Sequence, residues 1–424
     1  PFRVAEEQTS FRVEGTGSLR LGEGRRAVAS PVALYGEGEV RWSVEGAEES
    51  LAISIADDDK LTVHALYGST GVHTVRVTGR DRAGATDTYE LEVRVDPLAW
   101  RGRKTWTIEG PEAREHGSWI PTANGACLLG GSGYAPYLAP LDDAWWFQPD
   151  TGLWSRMAVT GDPLPAGGSR RVAGQQGRGE AYLFGGYGEG NAVDNELHRV
   201  TLEGGGVVVE AVEQLNPPPP RSLHGFAFDP ETERYVVFGG LGGDLVARPL
   251  GDTWIMELVD GVAQWTEVDT NRGPSPRYGF FYGIDEATGR FYLFSGAQGT
   301  GTIDPARDTW MLDLRAAAPA WELLSEGERN PPGRRNGVSV FDPTGPRLFV
   351  FGGTADGMTT EPGLWAFDVP RRAWTELALE GEPPLRSSGF GFFDSTTQSV
   401  HLGFGNSANA AYQDITELAS IMLR

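Results

Sequence analysis

The sequence of 424 residues has little cysteine, little lysine and no long apolar run. Cys127 is the only cysteine, which excludes an internal disulfide. Within Gly125-Ala-Cys-Leu-Leu-Gly-Gly it is predicted to be a small core residue of a strand. Lys60 and Lys104 are the only lysines among 36 basic residues, a bias that we interpret as GC-rich coding in a bacterium. No stretch reaches the roughly 18 apolar residues of a membrane-spanning helix, so membrane insertion is not expected.

Basic charge is also scarce. The chain carries 58 acidic against 36 basic residues, a net charge of −22. Binding to nucleic acid or to an anionic membrane surface depends on basic patches, so neither partner is expected. The sequence has no P-loop, no His-Glu-x-x-His and no Gly-x-Ser-x-Gly motif. No cofactor is therefore expected, and the oligomeric state stays open.

What the sequence does contain is a repeat. Short apolar runs end in a glycine pair, or an equivalent of one, at steps of 55, 54, 56, 57 and 53 residues. The pairs are Gly130-Gly131, Gly185-Gly186, Gly239-Gly240, Ser295-Gly296, Gly352-Gly353 and Gly405-Asn406. A near-constant period of this size is typical of repeat folds, in which neighbouring units complete each other's cores. Between the pairs lie β-branched and aromatic runs bounded by Gly, Pro and Asp, which predicts antiparallel strands.

The clearest copies read Tyr235-Val-Val-Phe-Gly-Gly, Asp252-Thr-Trp-Ile-Met-Glu and Trp265-Thr-Glu-Val. They resemble the kelch repeat, with its glycine doublet, its Asp-x-Trp third strand and its Trp at the start of strand four. The resemblance covers about residues 104–424 and implies a six-bladed β-propeller. The last copy lacks a fourth strand, whereas Trp106-Thr-Ile-Glu-Gly is a fourth-strand pattern without its own repeat. We therefore predict that about residues 104–109 pair into the last blade and close the ring.

The first 96 residues have no kelch period and form a separate predicted domain. Alternating runs such as Leu61-Thr-Val-His-Ala and Tyr89-Glu-Leu-Glu-Val-Arg-Val are separated by turn residues, which predicts a β-sandwich. The stretch from Gly71 to Thr86 resembles the last hairpin of bacterial immunoglobulin-like and cadherin-like modules. The predicted organisation is all-β, with a sandwich at 1–96, a linker at 97–103 and a six-bladed propeller at 104–424. The resemblance implies export, to the periplasm or the cell surface.

A repeated arginine is the candidate binding group. It stands eight residues before an aspartate in four copies, as Arg221 and Asp229, Arg277 and Asp285, Arg334 and Asp342, and Arg386 and Asp394. The aspartate is predicted to cap the hairpin between strands one and two. The arginine begins the innermost strand, and Arg114 and Arg170 are assigned to the same place in the first two copies.

Six arginines around one channel mouth would concentrate anions on an otherwise acidic protein. In kelch domains that recognise acidic peptides, blade-top arginines contact ligand carboxylates, and Pro220-Arg221 and Pro276-Arg277 are similar to such loops. His224, and also His116, are expected near this mouth. The other possibility is that each arginine binds carbonyls or carboxylates of the blades and only holds the ring together.

Catalysis is the less favoured reading. Galactose oxidase is similar in its architecture, but its copper site needs a tyrosine cross-linked to cysteine, and Cys127 lies on a predicted core strand. His116, His198, His224 and His401 fall on different strands, so no metal site is expected. The predicted function is an exported protein that binds an anionic peptide or glycan. The alternatives are an enzyme resembling the sialic acid mutarotases, with His224 or a loop glutamate as acid–base group, and a purely structural surface module.

Overall fold

The computed structural model describes most of the chain as β-structure. The described residues are 12–23, 26–34, 39–47, 49–56, 59–66, 68–103, 110–133, 139–188, 192–242, 247–269, 272–300, 305–380, 385–407, 413–414 and 418–422. They contain strands and turns and no helix, so none of them forms a helix that could cross a membrane. Two compact units are present, one of Pro1–Ala99 with Leu377–Glu380, the other of Trp100–Glu376 with Gly381–Met422.

Between residues 12 and 96, the described part of the first unit forms nine strands. They are β1 (Arg12–Glu14), β2 (Ser18–Gly22), β3 (Arg26–Ala29), β4 (Val32–Leu34), β5 (Arg41–Glu45), β6 (Leu51–Ile55), β7 (Leu61–Ala65), β8 (Gly71–Arg80) and β9 (Thr86–Asp96). One sheet has the order β2-β9-β8-β5, another the order β3-β7-β6, and β1 pairs with β4. Alternate residues such as Val63, Val75 and Val93 are fully buried in one apolar core shared by the two larger sheets.

Strand β10 (Leu98–Arg103) follows, and then the strands of the second unit are arranged in consecutive sheets. Sheet one holds β11 (Arg114–Glu115), β12 (Ser118–Thr122), β13 (Gly125–Gly133), β14 (Ala139–Gln148) and β15 (Leu153–Met157). Sheet two holds β16 (Val159–Gly161), β17 (Arg171–Ala173), β18 (Glu180–Tyr187), β19 (Val193–Glu203) and β20 (Gly206–Ala211). Sheet three holds β21 (Gln214–Leu215), β22 (Gly225–Asp229), β23 (Arg234–Gly242), β24 (Arg248–Val259) and β25 (Val262–Val268).

The later sheets repeat this pattern. Sheet four holds β26 (Phe281–Asp285), β27 (Arg290–Phe294), β28 (Asp308–Asp313) and β29 (Trp321–Glu326). Sheet five holds β30 (Val338–Asp342), β31 (Arg347–Phe351), β32 (Leu364–Asp368) and β33 (Ala373–Leu377). Strand β34 (Leu379–Glu380) pairs with Leu98–Ala99 of β10. Sheet six holds β35 (Phe390–Asp394), β36 (Ser399–Gly403), β39 (Leu418–Met422) and the Trp100–Arg103 part of β10. A ribbon of β37 (Asn406–Ser407) and β38 (Gln413–Asp414) lies between β36 and β39 in sequence.

Apolar side chains pack each sheet on the next. Phe184 of sheet two contacts Trp265 of sheet three, and Phe294 of sheet four contacts Trp374 of sheet five, with ring centroids 4.9 and 4.5 Å apart. The repeated Trp that begins the fourth strand is therefore a packing residue, as expected from its large apolar surface. Sheets one and six also share an apolar core, in which the ring centroids of Trp119 and Phe392 lie 4.9 Å apart.

The repeated glycine pairs connect the sheets through their backbones. In the first five pairs the second residue, a glycine, adopts a positive φ and donates its N–H to a carbonyl at the start of the next sheet. In the sixth the donor is Gly405, so the equivalent pair is Phe404-Gly405, one residue earlier than the predicted Gly405-Asn406. The six bonds are Gly131 to Gly167, Gly186 to Arg221, Gly240 to Arg277, Gly296 to Arg334, Gly353 to Arg386 and Gly405 to Arg114, at 2.8–3.1 Å. They run from every sheet to the next and from sheet six back to sheet one.

The predicted closing strand needs a correction. Residues 104–109 lie outside the described residues, so the predicted pairing of Trp106 is not seen. Residues 98–103, predicted to lie in a linker, instead form β10, in which Trp100 to Arg103 pair with Ile421 to Leu418 of β39. The physical reason is that β39 would otherwise leave a row of backbone donors and acceptors unpaired, and the strand directly before residue 104 satisfies them.

Candidate functional site

The inner strands of the second unit surround two cavities. One, of about 220 Å³, is lined by residues of all six sheets near the ends of their first strands, and we call it the hairpin-side cavity. The other, of about 170 Å³, is lined by residues nearer the starts of these strands, including Ser118, Arg171, Tyr282 and Ser339, and we call it the mouth-side cavity. Both lie where a binding site at the centre of the repeat array was expected.

The predicted arginines do not reach either cavity. Arg114, Arg170, Arg221, Arg277, Arg334 and Arg386 each expose 7% or less of their surface. Arg221 forms a bidentate pair with Asp252, at 2.8 and 2.7 Å, and also donates to the carbonyl of Gly239. Arg114 pairs in the same way with Asp143, and Arg277 with Asp308. The aspartate is that of the Asp-x-Trp motif, whose Trp Nε1 also donates to it, as Trp254 does to Asp252 at 2.7 Å.

These pairs lower the pKa values of the aspartates. Burial alone would raise the pKa of Asp252, but the hydrogen bonds and positive charge of Arg221 outweigh burial and lower it. The same opposing causes act on Asp143 beside Arg114. A guanidinium that already gives its paired N–H groups to a buried carboxylate has little left for a ligand. The geometry therefore assigns these arginines to the scaffold, which is the alternative left open by the sequence.

Arg170 reaches this place from a different backbone position. Residue 167, where the other sheets have the arginine, is Gly167, which accepts the inter-sheet bond from Gly131 at 3.1 Å. Arg170 lies three residues later, yet its guanidinium contacts Asp194 at 3.0 and 2.8 Å and the carbonyl of Gly185 at 2.7 Å. The guanidinium of Arg170 thus occupies the predicted place, equivalent to that of Arg114, although its backbone lies three residues further along.

Sheet five lacks the aspartate. Gly363 stands where the third strands of sheets one to four have Asp, and Arg334 donates to the carbonyls of Pro332 and Pro362 at 3.0 and 3.2 Å. Burial lowers the pKa of Arg334, and the charges of Glu361 and Glu376 oppose this effect. Arg386 of sheet six donates to the carbonyl of Phe404 at 3.4 Å. Neither arginine is placed at an open surface.

The predicted hairpin role of the second residue in each Arg–Asp register is confirmed. Asp229 accepts hydrogen bonds from the N–H of Glu231 and the hydroxyl of Thr232, and it also pairs with Arg315. Asp285, Asp342 and Asp394 accept similar bonds from residues two or three positions later. These aspartates stabilise the turns that end the first strands.

Of the two histidines of the predicted site, His224 is buried and His116 is half-buried. His224 is fully buried, and neither of its ring nitrogens has a hydrogen-bond partner among the described residues. Burial, together with the charges of Arg171 and Arg221, holds the pKa of His224 well below its usual range. His116 lies 3.9 Å from a carboxylate oxygen of Glu115, and burial lowers its pKa as well. His224 therefore has no access to a ligand as an acid–base group, which removes one support of the enzyme alternative.

A second arginine, which the sequence did not single out, directly follows one of the buried arginines. The residue after the buried arginine position is Glu115, Gly168, Ser222, Tyr278, Arg335 or Ser387, one from each sheet, and we call this set the mouth positions. Arg335 is half-buried, and its Nη1 donates to the Tyr278 hydroxyl at 2.9 Å. Its Cζ lies 5.3 Å from the Tyr278 ring centroid, a cation–π distance. Its Nε is buried without a hydrogen-bond partner in the described part of the chain.

Arg171 supplies positive charge deeper inside. It is half-buried, lines the mouth-side cavity, and lies with its Cζ 5.8 Å from the Tyr282 ring centroid. Its Nε donates to the carbonyl of His224 at 3.0 Å. Within the described ranges no carboxylate lies within ion-pair distance of Arg171 or Arg335, in contrast to four of the buried arginines.

Polar groups continue around the mouth between sheets six, one and two. Asn406 donates to Glu115 Oε2 at 2.8 Å and hydrogen-bonds to Ser387. The Tyr187 hydroxyl lies 3.3 Å from Ser132 Oγ, and burial raises the pKa of Tyr187 to about 12. The mouth positions and their neighbours therefore carry hydroxyl, amide and guanidinium groups, and the Glu115 carboxylate, which can all form directed hydrogen bonds.

The sequence signal for Arg335 was present but ambiguous. Arg334-Arg335 is a pair of adjacent arginines, and neighbouring residues of a strand point to opposite sides. Only one of the two can therefore enter the buried ion-pair position. The repeat register assigns Arg334 to the buried position, which leaves Arg335 on the other side of the chain. No three His, Cys, Asp or Glu side chains are arranged to hold a metal ion in the residues that the structure describes.

Comparison with known families is decisive for the repeat. A family model described as the KLHDC2/KLHL20/DRC7 Kelch-repeats domain matches residues 172–405, which is more than half of the chain. The chain belongs to this kelch-repeat family. We call its second compact unit the kelch unit below. Kelch-repeat proteins generally mediate protein–protein interactions.

Similar proteins agree with this fold. Adagio protein 3 of Arabidopsis thaliana is 27% identical over 299 residues, which are 68% of this chain and 46% of that protein. The chain thus spans about half the length of this relative. Among solved structures, YjhT has a TM-score of 0.54 at 14% identity, covering 73% of this chain and 95% of its own. A fungal alcohol oxidase of the AA5 family, solved in complex with copper, has a TM-score of 0.50 at 12% identity, covering 74% and 75%.

These likenesses show a kelch propeller fold and do not extend to activity. Adagio protein 3 is a plant protein, so this similarity does not support the predicted bacterial source.

Proposed function

We propose that the chain is a recognition protein whose kelch unit binds an anionic segment of a protein partner at its mouth. In this proposal the six sheets form a closed six-bladed propeller. The first unit is an immunoglobulin-like or cadherin-like β-sandwich, and the protein is exported. The ligand class is the one expected from the sequence, whereas the cations that bind it are different.

One observation carries the proposal. Arg335 is a half-buried guanidinium at a mouth position, held by the hydroxyl and ring of Tyr278, with a buried Nε that has no partner among the described residues. A preorganised guanidinium with free donors favours planar oxyanions such as carboxylates. Arg171 adds a second positive charge in the mouth-side cavity below. Ser222, Ser387 and Asn406 provide neutral hydrogen-bonding groups at the same mouth.

The net charge of the chain also affects where an anionic partner can bind. A net charge of −22 repels acidic partners from most of the surface, so in this proposal Arg335 and Arg171, which have no carboxylate partner among the described residues, determine where an anionic segment can bind. Because the interaction is electrostatic and partly exposed, its association should weaken as salt concentration rises.

The test is a binding array. The full chain, wild type and Arg335→Met, is probed with acidic peptides, the same peptides with Gln in place of Glu and Asn in place of Asp, and acidic glycans. The proposal predicts binding of acidic peptides by the wild type, little binding of the neutral versions, and reduced binding by the variant. Selective binding of glycans would point to a carbohydrate ligand, and equal binding of acidic and neutral peptides would contradict the role of the cations. Fractionation of the native cell with an antibody against the chain tests export separately.

A further inference from the structure

One wall of the hairpin-side cavity is formed by a single turn. Residues Gly174 to Gly179 connect β17 and β18, and we call them the strap. The Gln176 N–H donates to Glu286 Oε1 of sheet four at 3.1 Å, and its side-chain Nε2 donates to the Phe393 carbonyl of sheet six at 2.8 Å. The strap therefore reaches from sheet two to two other sheets and forms a wall of the cavity.

The Glu286 carboxylate lines this cavity, and few hydrogen bonds or positive charges offset its negative charge. Among the described residues, the N–H of Gln176 is the one hydrogen-bond donor to its side chain. Burial raises the pKa of Glu286, and the negative charges of Asp229 and Asp285 raise it further. Arg315 pairs with Asp229 and Glu231 and donates to the backbone carbonyl of Glu286, not to its side chain, and Arg290 pairs with Asp313. A positive ligand would therefore relieve an electrostatic cost that the fold leaves in place.

The other walls include several aromatic rings and the exposed Glu180, and the nearby cation Arg171 lines the mouth-side cavity on the other side, 5.8 Å from the Tyr282 ring. Phe228, Tyr282 and Phe341 are half-buried and line the cavity, together with the buried rings of Trp119 and Phe392. None of the residues that line the hairpin-side cavity is lysine, arginine or histidine. The negative faces of aromatic rings attract a cation, most strongly one that has lost its water shell. A volume of about 220 Å³ is below that of most sites for drug-sized ligands, which restricts the occupant to a small molecule.

We propose that the hairpin-side cavity binds a small organic cation, an ammonium group with apolar substituents, between the Glu286 carboxylate and the aromatic walls. The apolar substituents gain by leaving water and contacting the aromatic rings. They also lower the free-energy cost of removing water from the ammonium group, compared with a metal ion. The site is separate in its residues from Arg335 at the mouth, and it does not depend on the function proposed above.

The test compares two molecules of nearly equal shape. Choline chloride and the neutral alcohol 3,3-dimethylbutan-1-ol are titrated into the full chain by calorimetry, with Trp119 fluorescence as a second readout. The proposal predicts a saturable choline signal and binding of the alcohol at least about tenfold weaker, since a desolvated cation–π contact and one charge pair contribute about 1.4 kcal/mol or more. Equal binding of the two, or no choline signal up to about 10 mM, would overturn it.

Variants locate the site. Glu286→Gln keeps the shape and removes the charge, and it should weaken choline binding at least about tenfold, as one unit charge in a partly buried site requires. Glu231→Gln changes an exposed carboxylate of the neighbouring hairpin that does not line the cavity, and it should leave choline binding unchanged. Tyr282→Leu removes a ring without touching charge and should also weaken choline. Choline binding that is insensitive to both Glu286→Gln and Tyr282→Leu would place the cation elsewhere and reject the proposal, and the choline–alcohol comparison remains valid if one variant fails to fold.

Discussion

The N–H of Gly405 donates a 2.9 Å hydrogen bond to the carbonyl oxygen of Arg114, which joins the last repeat of the kelch unit to the first. Five equivalent bonds join the other neighbouring sheets, each from the second residue of a glycine pair. The glycine that marks each repeat in the sequence is thus the residue that binds the next repeat. A side chain here is doubly unfavourable, because φ is positive and the backbone of the neighbouring sheet is close.

Gly405→Ala tests this closure. Gly405 has φ +85°, and an added Cβ would overlap the carbonyl oxygen of Ser387. Gly261→Ala is the matched control, since Gly261 has φ +83° but nothing within 4 Å of an added Cβ. We expect the control to lose about 1–2 kcal/mol of unfolding free energy from backbone strain alone. Gly405→Ala should lose at least about 2 kcal/mol more from the steric overlap. Urea unfolding followed by tryptophan fluorescence measures both, and equal losses would argue against a tight junction.

The buried Arg–Asp pairs make a second prediction about stability. Asp308→Asn keeps the shape of the side chain but removes the charge that compensates Arg277, whose side chain is 1% exposed. Breaking such a pair from one side costs about 3–5 kcal/mol, because a charge stays buried alone. Glu210→Gln breaks the exposed pair with Arg199 and should cost at most about 1 kcal/mol. If thermal denaturation shows equal shifts for the two variants, the arginines are not part of the scaffold.

His224 gives the kelch unit a pH dependence. Its folded-state pKa is well below the unfolded value because of burial, so the unfolded chain binds a proton that the folded chain does not. The stability contributed by neutral His224 is present above the ordinary histidine pKa, about 6.5, and is lost progressively as pH falls below it. Between pH 7.5 and pH 5 the wild type should therefore lose more unfolding free energy than His224→Gln. Parallel losses in the two proteins would show that His224 is protonated in the fold.

Tyr278 is expected to hold Arg335 in its binding orientation. Tyr278→Phe removes the hydroxyl that accepts from Arg335 Nη1 and keeps most of the ring. We expect an acidic peptide to bind this variant about three- to tenfold more weakly, since one neutral-group hydrogen bond contributes about 0.5–1.5 kcal/mol. The thermal stability should change little, and affinity measured by fluorescence anisotropy separates the two effects. An unchanged affinity would mean that the ring alone positions the guanidinium.

Much of the fold could be predicted because its cause lies in repetition. Glycine pairs, Asp-x-Trp motifs and fourth-strand tryptophans recur at one period, and the structure gives each a role in joining strands or sheets. The strand β10 could not be predicted as the partner of β39. Its sequence, Leu-Ala-Trp-Arg-Gly-Arg, lacks the Trp-Thr-x-x pattern that Trp106 carries, and pairing depends on which segment the chain brings to the open edge.

The site was harder to predict, because the fold decides which carboxylate each arginine pairs with and which of two neighbouring arginines faces the core. Arg221 precedes Asp229 by eight residues in sequence, yet its carboxylate partner is Asp252 on the third strand. The eight-residue spacing does recur, but the aspartate in it caps a hairpin and does not pair with the arginine. Arg171 and Arg335 each adjoin another arginine, and sequence alone does not decide which of two neighbours faces the core. Glu286 gave no signal, because its importance comes from the strap that crosses to it from sheet two.

The most direct test of the account is the affinity of one acidic peptide for three versions of the full chain. Fluorescence anisotropy at low and at physiological salt compares the wild type, Arg335→Met and the control Arg199→Met, whose arginine is exposed and paired with Glu210. We predict at least about tenfold weaker binding for Arg335→Met, because a charge-assisted bond contributes about 1.5–3 kcal/mol, and unchanged binding for the control. Equal affinities for Arg335→Met and the wild type would contradict recognition at the mouth.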